Sequence, residues 1–234
     1  MVRVRRRLPE LMDDPNLDER SHRQALAGLR RVNSISRSDA ILWNPVRRLA
    51  AAAGDQPLRL LDIACGGGDV TCRLAERARR AGFRLQIDGC DRSDVALGTA
   101  RELAAERRLQ GVEFFRLDVL QDVLPADYDI VMCSLFLHHL DADDVVRLLR
   151  NMAQAARRAV LANDLRRTAW GYTIAWVGCR MLSRSPVVHV DGPRSVAGAF
   201  SCSEIRDLAG HAGLENVQMT MHWPQRFLLR WDRP

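Results

Sequence analysis

The stretch LRLLDIACGGGDV, residues 58–70, decides the fold of this chain. It begins as an apolar run with one internal acid, Asp62, and then breaks into three glycines before polar residues resume at Asp69. A buried strand, a glycine turn and a capped helix start are typical of the ligand-binding edge of a parallel α/β sheet. Because glycine adopts positive φ and has no Cβ, such a turn lets the backbone come close to a bound molecule.

The spacing of the glycines excludes two common nucleotide-binding loops. A dinucleotide-binding loop needs glycines at its first, third and sixth positions, and the sixth position here is Thr71 or Asp69, depending on where the count starts. A P-loop needs a Gly-Lys-Ser/Thr ending, and the chain contains no lysine. An acid at the helix start would also repel a phosphate. The turn therefore predicts a ligand without a pyrophosphate.

The segment from Asp62 to Gly68 resembles the first motif of the class I S-adenosylmethionine-dependent methyltransferases, acid-x-Gly-x-Gly-x-Gly, with alanine in place of the first glycine. The resemblance implies an α/β fold with a Rossmann-like, doubly wound seven-stranded sheet that ends in a C-terminal antiparallel hairpin. It also implies S-adenosyl-L-methionine as the cofactor. The motif residues expected to bind it are Asp62, Ala64, Cys65, Gly66 and Gly68.

Acids at the ends of the next two predicted strands extend this cofactor site. Asp91 ends the strand over residues 85–91, where a carboxylate can accept hydrogen bonds from both ribose hydroxyls. The resemblance assigns Asp91 this contact, and Arg92 is expected to lie against the adenine ring. It further implies that Asp118 accepts from the adenine amino group and that Val119 offers its backbone NH. A turn role is the alternative for Asp118.

The fourth predicted strand, residues 128–134, is followed by two histidines, His138 and His139. In the family this strand end faces the methionine part of the cofactor, and Cys133 is expected to contact it through its backbone. The histidines then stand where the methyl group is delivered, so one of them could be a general base on a phenol or enol. The sequence favours neither histidine over the other. A hydrogen bond that only shapes the pocket is the alternative for both.

The segment 165–200 is too long for a simple connection between a strand and a helix. It contains twelve uncharged residues, TAWGYTIAWVGC, and a run with turn-forming residues, RSPVVHVDGP. We predict a substrate lid insertion whose aromatic side chains suit a flat or apolar acceptor, with one histidine as a second candidate base. The alternative is a helix that packs on the N-terminal helices or on a second subunit. The candidate acceptor-binding residues are Trp170, Tyr172, Trp176 and His189.

The chain is predicted to form an N-terminal helical cap, residues 1–54, and a methyltransferase domain, residues 55–234. The cap begins with a charged stretch, residues 1–20, which is expected to be loosely held.

A helical pattern over residues 38–53 ends the cap, and its first turn is expected to be capped by Ser38 or Asp39, or marked by Pro45. In similar methyltransferases such a piece lies over the cofactor. Contacts to the cofactor carboxylate could then come from Arg31, Asn33 or Arg37. The favoured alternative for each of them is a place on a solvated, arginine-rich helix face.

The charge, the cysteine content and the hydropathy of the chain limit the classes of function that remain. The net charge is +6, and all 35 basic residues are arginines, a bias that favours genomic base composition over nucleic-acid binding as its cause. The six cysteines form no CxxC pair, so we expect reduced, packed thiols, no metal and no disulfide. There is no signal-peptide pattern and no apolar run of the roughly 18 residues that a membrane span needs. A cytoplasmic monomer or homodimer is predicted.

These features predict an enzyme that transfers a methyl group from S-adenosylmethionine to a small, aromatic or apolar acceptor, by O- or C-methylation, in quinone or secondary-metabolite biosynthesis. The sulfonium already activates the methyl group, so the reaction itself requires no metal. Two alternatives are an RNA or protein methyltransferase and a non-catalytic, cofactor-binding partner subunit. The first is disfavoured, because Cys-Ser-Leu-Phe at residues 133–136 stands where methyltransferases of base amines often carry Asn/Asp-Pro-Pro-aromatic.

Overall fold

The computed structural model describes residues 4–14, 16–54 and 56–234. The α-helices of these residues are α1 (Glu19–Ser36), α2 (Ser38–Ala53), α3 (Asp69–Arg80), α4 (Asp94–Glu106), α5 (Ala142–Ala155), α6 (Ala169–Leu182), α7 (Pro186–Gly198) and α8 (Cys202–His211). The strands are β1 (Leu58–Ile63), β2 (Leu85–Asp91), β3 (Val112–Arg116), β4 (Tyr128–Ser134), β5 (Ala156–Leu165), β6 (Gln218–His222) and β7 (Arg226–Asp232). Among the described residues, no helix is both long and apolar enough to cross a bilayer.

The strands of the described residues form one seven-stranded sheet in the order β3-β2-β1-β4-β5-β7-β6. The strands β1 to β5 are mutually parallel, and β7 runs antiparallel to both β5 and β6. The strand order reverses between β1 and β4, and ligands of doubly wound sheets bind at the carboxyl ends of the strands beside such a reversal. The predicted α/β fold is confirmed, including its antiparallel hairpin.

Two apolar layers cover the sheet. One face packs mainly against α5 and α8 through buried residues such as Leu148 and Ile205. The other packs against α2 and α3 through Leu42 and Leu74. Because β1 and β4 are covered on both faces, their residues are almost continuously buried, which explains the apolar runs seen in the sequence.

The second N-terminal helix starts differently from the prediction. Arg37 adopts the left-handed conformation, with φ 54°, and α2 begins directly after it, so Pro45 lies inside the helix. Neither predicted cap forms a capping hydrogen bond, because both side chains are used elsewhere. Ser38 Oγ accepts from Arg226, and Asp39 pairs with Arg77.

The expectation that residues 1–20 are loosely held is wrong for the N-terminal segment, which we define as residues 4–14. Arg5 donates to the carbonyls of Gly198 and Leu140 and lies 3.8 Å from the centre of the Phe200 ring. The carboxylate of Asp191 accepts from the backbone amides of Leu11 and Met12. Residues 1–3 and 15 lie outside the described residues.

The predicted turn-rich run RSPVVHVDGP is also helical in the structure. Pro186 occupies the first turn of α7, where its missing NH costs nothing. Gly192 lets α7 approach α6 closely, because a Cβ at this position would lie 2.2 Å from Cys179 Sγ. The segment 165–200 therefore contains a tight pair of helices. The next helix, α8, begins with a capping box between Ser201 and Glu204.

Candidate functional site

A cavity of about 1590 Å³ opens at the carboxyl ends of the parallel strands. Pockets for a single ligand usually measure about 300–1,000 Å³, so this cavity has room for two small ligands. We call one part the glycine-turn half, formed by the turn after β1 and the ends of β2 and β3. We call the other the histidine half, formed by the N-terminal segment, the loop after β4 and the inner faces of α6 and α7.

The glycine turn depends on three residues with positive φ: Ala64 (52°), Gly66 (54°) and Gly68 (70°). Ala64 thus adopts the conformation that the motif's usual glycine would favour. Ala64, Cys65 and Gly66, three of the residues predicted to bind the cofactor, line the cavity. Gly68 does not line it, because Gly68 faces α4, where a Cβ would lie 2.8 Å from Ala100 and 2.9 Å from Phe114. For Gly68 the prediction of a cofactor contact is wrong.

Asp62 lies at the floor of the glycine-turn half and is almost fully buried. Its Oδ2 accepts a 2.5 Å hydrogen bond from the Thr71 hydroxyl on α3. Burial raises the pKa of Asp62 to about 7, against the lowering effect of the Thr71 hydrogen bond and with a further increase from Asp69 and Asp91. Asp62 therefore carries a proton in an appreciable fraction of the ligand-free molecules at neutral pH.

Asp91 connects the glycine turn to the end of β2. Its Oδ2 accepts from the backbone NH of Gly66 at 2.8 Å, and its Oδ1 accepts from that of Ser93 at 2.9 Å. A carboxylate has about four lone-pair positions, so both oxygens can still accept from a ligand in the cavity. The geometry fits a ligand that presents two neighbouring hydroxyl groups.

The rim beyond Asp91 contains the remaining predicted residues of this half. Asp118, Val119 and Arg92 all line the cavity. Asp118 Oδ1 also accepts from the NH of Leu120, so Asp118 combines a turn role with its position at the cavity. Arg92 donates to Asp13 of the N-terminal segment at 3.2 Å and so joins the two halves.

Three buried polar atoms at the boundary between the halves have no hydrogen-bond partner among the described residues. They are Asn33 Oδ1, Asp69 Oδ2 and Arg226 Nε, and all three residues line the cavity. Arg226 is held by Ser36 and Ser38, each at 2.6 Å. A buried polar group without a partner is costly, so these atoms mark a position for a ligand that bears both a donor and an acceptor. An amino-acid group has this character.

The histidine half is built around His138 and His139, which lie in a 3-10 helix after β4. His138 Nδ1 lies 2.6 Å from Asp164 Oδ1, and His139 Nδ1 lies 2.9 Å from Asp13 Oδ2. Glu10 lies opposite both rings, with Oε1 3.7 Å from His138 Nε2 and Oε2 3.8 Å from His139 Nε2. Two imidazoles and three carboxylates therefore share one corner of the cavity.

This density of negative charge shifts the pKa values of the corner. Burial alone would lower the pKa of His139, but the hydrogen bond with Asp13 and the charges of Glu10 and Asp164 raise it to about 9. Burial raises the pKa of Asp164, yet His138 and two backbone amides lower it below its ordinary value. The corner thus favours cations over neutral ligands.

Comparison with known proteins identifies this architecture. A model described as a methyltransferase domain matches residues 60–159. The ubiquinone biosynthesis O-methyltransferase of Chromobacterium violaceum is 30% identical over 182 residues, which cover 73% of this chain and 71% of that protein. The chain belongs to the class I S-adenosylmethionine-dependent methyltransferases. The predicted family, enzyme class and cofactor are confirmed.

Other similar proteins agree with this methyltransferase assignment. The ubiquinone biosynthesis O-methyltransferase of Azoarcus sp. (strain BH72) is 28% identical over 195 residues, covering 76% of this chain and 79% of that protein. The magnesium protoporphyrin IX methyltransferase of Synechocystis PCC 6803, solved with S-adenosylhomocysteine, shares the fold with a TM-score of 0.58 at 19% identity, covering 95% of this chain and 91% of that one. Three other solved methyltransferases are longer, and this chain spans 50% to 57% of their length.

Three residues predicted to contact the cofactor, Cys133, Arg31 and Arg37, do not line the cavity. Cys133 is fully buried between strands and does not line the cavity, whereas the next residues, Ser134 and Leu135, do. Arg31 donates to the Leu182 carbonyl, and of the three candidates on the N-terminal helices only Asn33 lines the cavity.

The predicted aromatic lid of the methyltransferase faces the wrong way. Trp170, Tyr172 and Trp176 are 65%, 38% and 47% exposed and do not line the cavity, and the Arg180 guanidinium covers the Trp176 ring at 4.1 Å. The inner face of α6 consists of small and aliphatic residues: Gly171, Ile174, Ala175, Gly178, Cys179 and Leu182. These positions follow helical spacing, so the rotation of α6 turns the aromatic residues outward.

His189 is also excluded as a base at the cavity, because its Nε2 lies 2.6 Å from the Ser183 carbonyl and it does not line the cavity. The cavity-lining residues that the sequence did not predict include Glu10, Arg226 and Trp223. Arg226 gave the clearest signal, since an arginine that opens an apolar strand needs buried partners. Glu10 gave none, because it lies 128 residues from His138 along the chain.

Proposed function

We propose that this methyltransferase transfers a methyl group from S-adenosylmethionine to an oxygen of a small, apolar or aromatic acceptor. The observation that carries the proposal is the single cavity in which the glycine-turn half meets the histidine half. The relatives named above support oxygen as the atom methylated, since two of them are O-methyltransferases of ubiquinone biosynthesis. A quinone precursor or a phenolic secondary metabolite is the proposed acceptor class.

The glycine-turn half is proposed to hold the cofactor. Asp91 would accept from the ribose hydroxyls, the backbone of residues 64–66 would approach the methionine part, and Asp118 with Val119 would meet the adenine. Asn33, Asp69 and Arg226 fit the amino-acid end, because their orphaned atoms need both a donor and an acceptor. The bound cofactor supplies an activated methyl group on sulfur, so the chain's task is to align it with the acceptor and exclude water.

The histidine half is proposed to hold the acceptor. Leu29 and Ile174 line its wall and suit an apolar ring, while His138 and His139 face the acceptor's reactive oxygen and assist the loss of its proton. Asp164 orients the His138 ring through Nδ1, which directs Nε2 into the cavity. We retain His138 and His139 as the proposed catalytic residues.

The domain bounds, the cellular location and the oligomeric state are also part of this proposal. We propose a helical cap over residues 1–54, a methyltransferase domain over residues 55–234, a cytoplasmic location, and a monomer or homodimer that acts on a small molecule rather than nucleic acid. The six unpaired cysteines are compatible with a reducing compartment.

Calorimetric titration with S-adenosylhomocysteine and mass spectrometry of reactions with a panel of phenols, catechols and hydroxyquinones test the proposal. We expect one bound cofactor per chain and a product heavier by one methyl group for at least one oxygen acceptor. Absence of cofactor binding would overturn the proposed function. Methylation of tRNA or protein, but of no small acceptor, would show that the acceptor is a macromolecule and not a small molecule.

A further inference from the structure

Three potential metal ligands converge in the histidine half. Glu10, His138 and His139 each offer one ligand atom, and these atoms all lie within 4.8 Å of one another. For bonds of about 2.0–2.1 Å in a tetrahedral site, ligand atoms lie about 3.4 Å apart. Glu10 Oε1 lies 3.7 Å from His138 Nε2 and Glu10 Oε2 lies 3.8 Å from His139 Nε2, so both oxygen–nitrogen separations are a few tenths of an ångström longer than this value.

Each of the three groups is held in place by a second polar residue. Asp164 accepts from His138 Nδ1 at 2.6 Å, Asp13 accepts from His139 Nδ1 at 2.9 Å, and Ser195 donates to Glu10 Oε1 at 2.6 Å. Carboxylates on the outer nitrogens of two histidines are the usual support of metal-binding imidazoles. This support fixes the ring orientation of both residues.

The tautomers that these bonds select leave lone pairs facing one another. Because a carboxylate only accepts, each Nδ1 donates its hydrogen to the carboxylate beside it. A metal ion that displaces any proton from Nε2 then meets a lone pair on each ring, next to Glu10. The separations of 3.7 Å and 3.8 Å are too long for N–H···O hydrogen bonds, which measure about 2.7–3.2 Å. A cation placed between the three atoms satisfies all of them at once.

The site is enclosed by protein on one side and open on the other. The Glu10 and His138 side chains are 10% and 5% exposed, while both residues and His139 line the cavity. Catalytic zinc sites with a His₂Glu ligand set keep one coordination position for water or substrate. Here that position faces the space assigned to the acceptor.

We infer that Glu10, His138 and His139 bind a divalent cation of the zinc class, whose open position takes the hydroxyl oxygen of the acceptor. The inference rests on the proposed function for the identity of that oxygen. The cation lowers the pKa of the bound hydroxyl, whose proton passes to solvent water. The oxygen's lone pair then forms the new C–O bond, and the electron pair of the broken C–S bond remains on sulfur. The acceptor class narrows to compounds that bind metals through oxygen, such as catechols and ortho-hydroxyquinones.

Metal titration of the full chain, stripped with a chelator and then dialysed, tests the inference. Zn²⁺ is followed by calorimetry and Co²⁺ by its visible absorption, which reports coordination without any turnover. We expect one equivalent per chain, at least a 100-fold loss of affinity in the double variant His138→Gln/His139→Gln, and a loss of about tenfold or more in Glu10→Gln. His211→Gln, an exposed histidine on α8, is the matched control and should bind as the unsubstituted chain does.

The outcomes separate this inference from the proposed function. If the stripped chain binds neither Zn²⁺ nor Co²⁺ more tightly than the double variant, the corner is a metal-free ion-pair network and the inference is wrong. Cofactor binding and full methyl transfer by such a chain would leave the proposed function intact. Conversely, stoichiometric metal binding without cofactor binding would support the site and contradict the function.

Discussion

The glycine-turn half of the cavity comes from a short run of chain, residues 58–119, whereas the histidine half combines segments from both ends of the chain. In the first, three neighbouring strands deliver Asp62, Asp91 and Asp118 to one edge. In the second, Glu10 comes from the N-terminal segment and meets residues from the loop after β4. The glycine-turn half is thus defined by a local sequence motif, whereas the histidine half is defined by tertiary packing.

The two halves also differ in what holds their polar groups. The glycine-turn half relies on backbone amides, as in the two bonds that hold the Asp91 carboxylate. The histidine half relies on side chains that hold one another, as Asp164 holds His138. We therefore expect substitutions in the first half to change cofactor affinity and those in the second to change turnover.

The largest effect is expected for the double variant His138→Gln/His139→Gln. Turnover should fall by about 100-fold or more, because proton removal from the acceptor loses its support. The affinity for S-adenosylhomocysteine should stay within about threefold of the unsubstituted chain. Steady-state kinetics and calorimetry measure the two quantities. Unchanged turnover would show that the acceptor's proton is lost without help from His138 or His139.

A pH-dependent stability is expected from Asp62. Its folded pKa of about 7 lies above the unfolded value of about 4, so the folded form holds a proton that the unfolded chain has already released. The free energy of unfolding of the ligand-free protein should therefore fall by about 3–4 kcal/mol as the pH rises from about 4 to 7, and level off above that. Asp62→Asn should remove this part of the decline in urea titrations. Asp143→Asn, at an exposed position on α5, is the control and should retain it.

A loss of cofactor affinity of about 100-fold is expected for Asp91→Ala, because two charge-assisted hydrogen bonds to the ribose disappear. Asp94→Ala is the matched control, since Asp94 lies three residues on and pairs with Arg116 on the surface. Calorimetry with S-adenosylhomocysteine distinguishes the two variants. Equal affinities would remove the ribose assignment.

The smallest effect is expected from substitutions that compare the two faces of α6. Ile174→Ala should raise the acceptor KM about five- to tenfold, because an apolar contact in the cavity is lost. Trp176→Ala should leave the KM unchanged, because its ring lies outside under Arg180. The reverse result would show that the aromatic face of α6 binds the acceptor.

The sequence predicts the parallel strands, and it places the candidate cofactor-binding acids at one edge of the sheet, because both depend on local pattern. The run before Asp62 and the acid at Asp91 identify strand ends, and parallel strand ends necessarily meet. Gly68 was misplaced because the motif does not reveal which glycine faces the ligand and which faces α4.

The histidine half could be predicted only in part. His138 and His139 were found because they directly follow a strand, but their partner Glu10 depends on where a distant segment packs. The orientation of α6 could have been inferred from its small residues, since Gly171, Ala175 and Gly178 share one face. The aromatic residues were the stronger signal in the sequence and the misleading one.

Gly178 is a position at which substitution could change the volume of the cavity. It lines the cavity, and a Cβ built there meets no atom within 4 Å, unlike the positions of Gly171 and Gly192. Alanine at this site would reduce the volume of the cavity without displacing a neighbour, and valine or leucine would reduce it further. In such a series of variants, the width of the acceptor molecule would decide which compounds still enter the cavity.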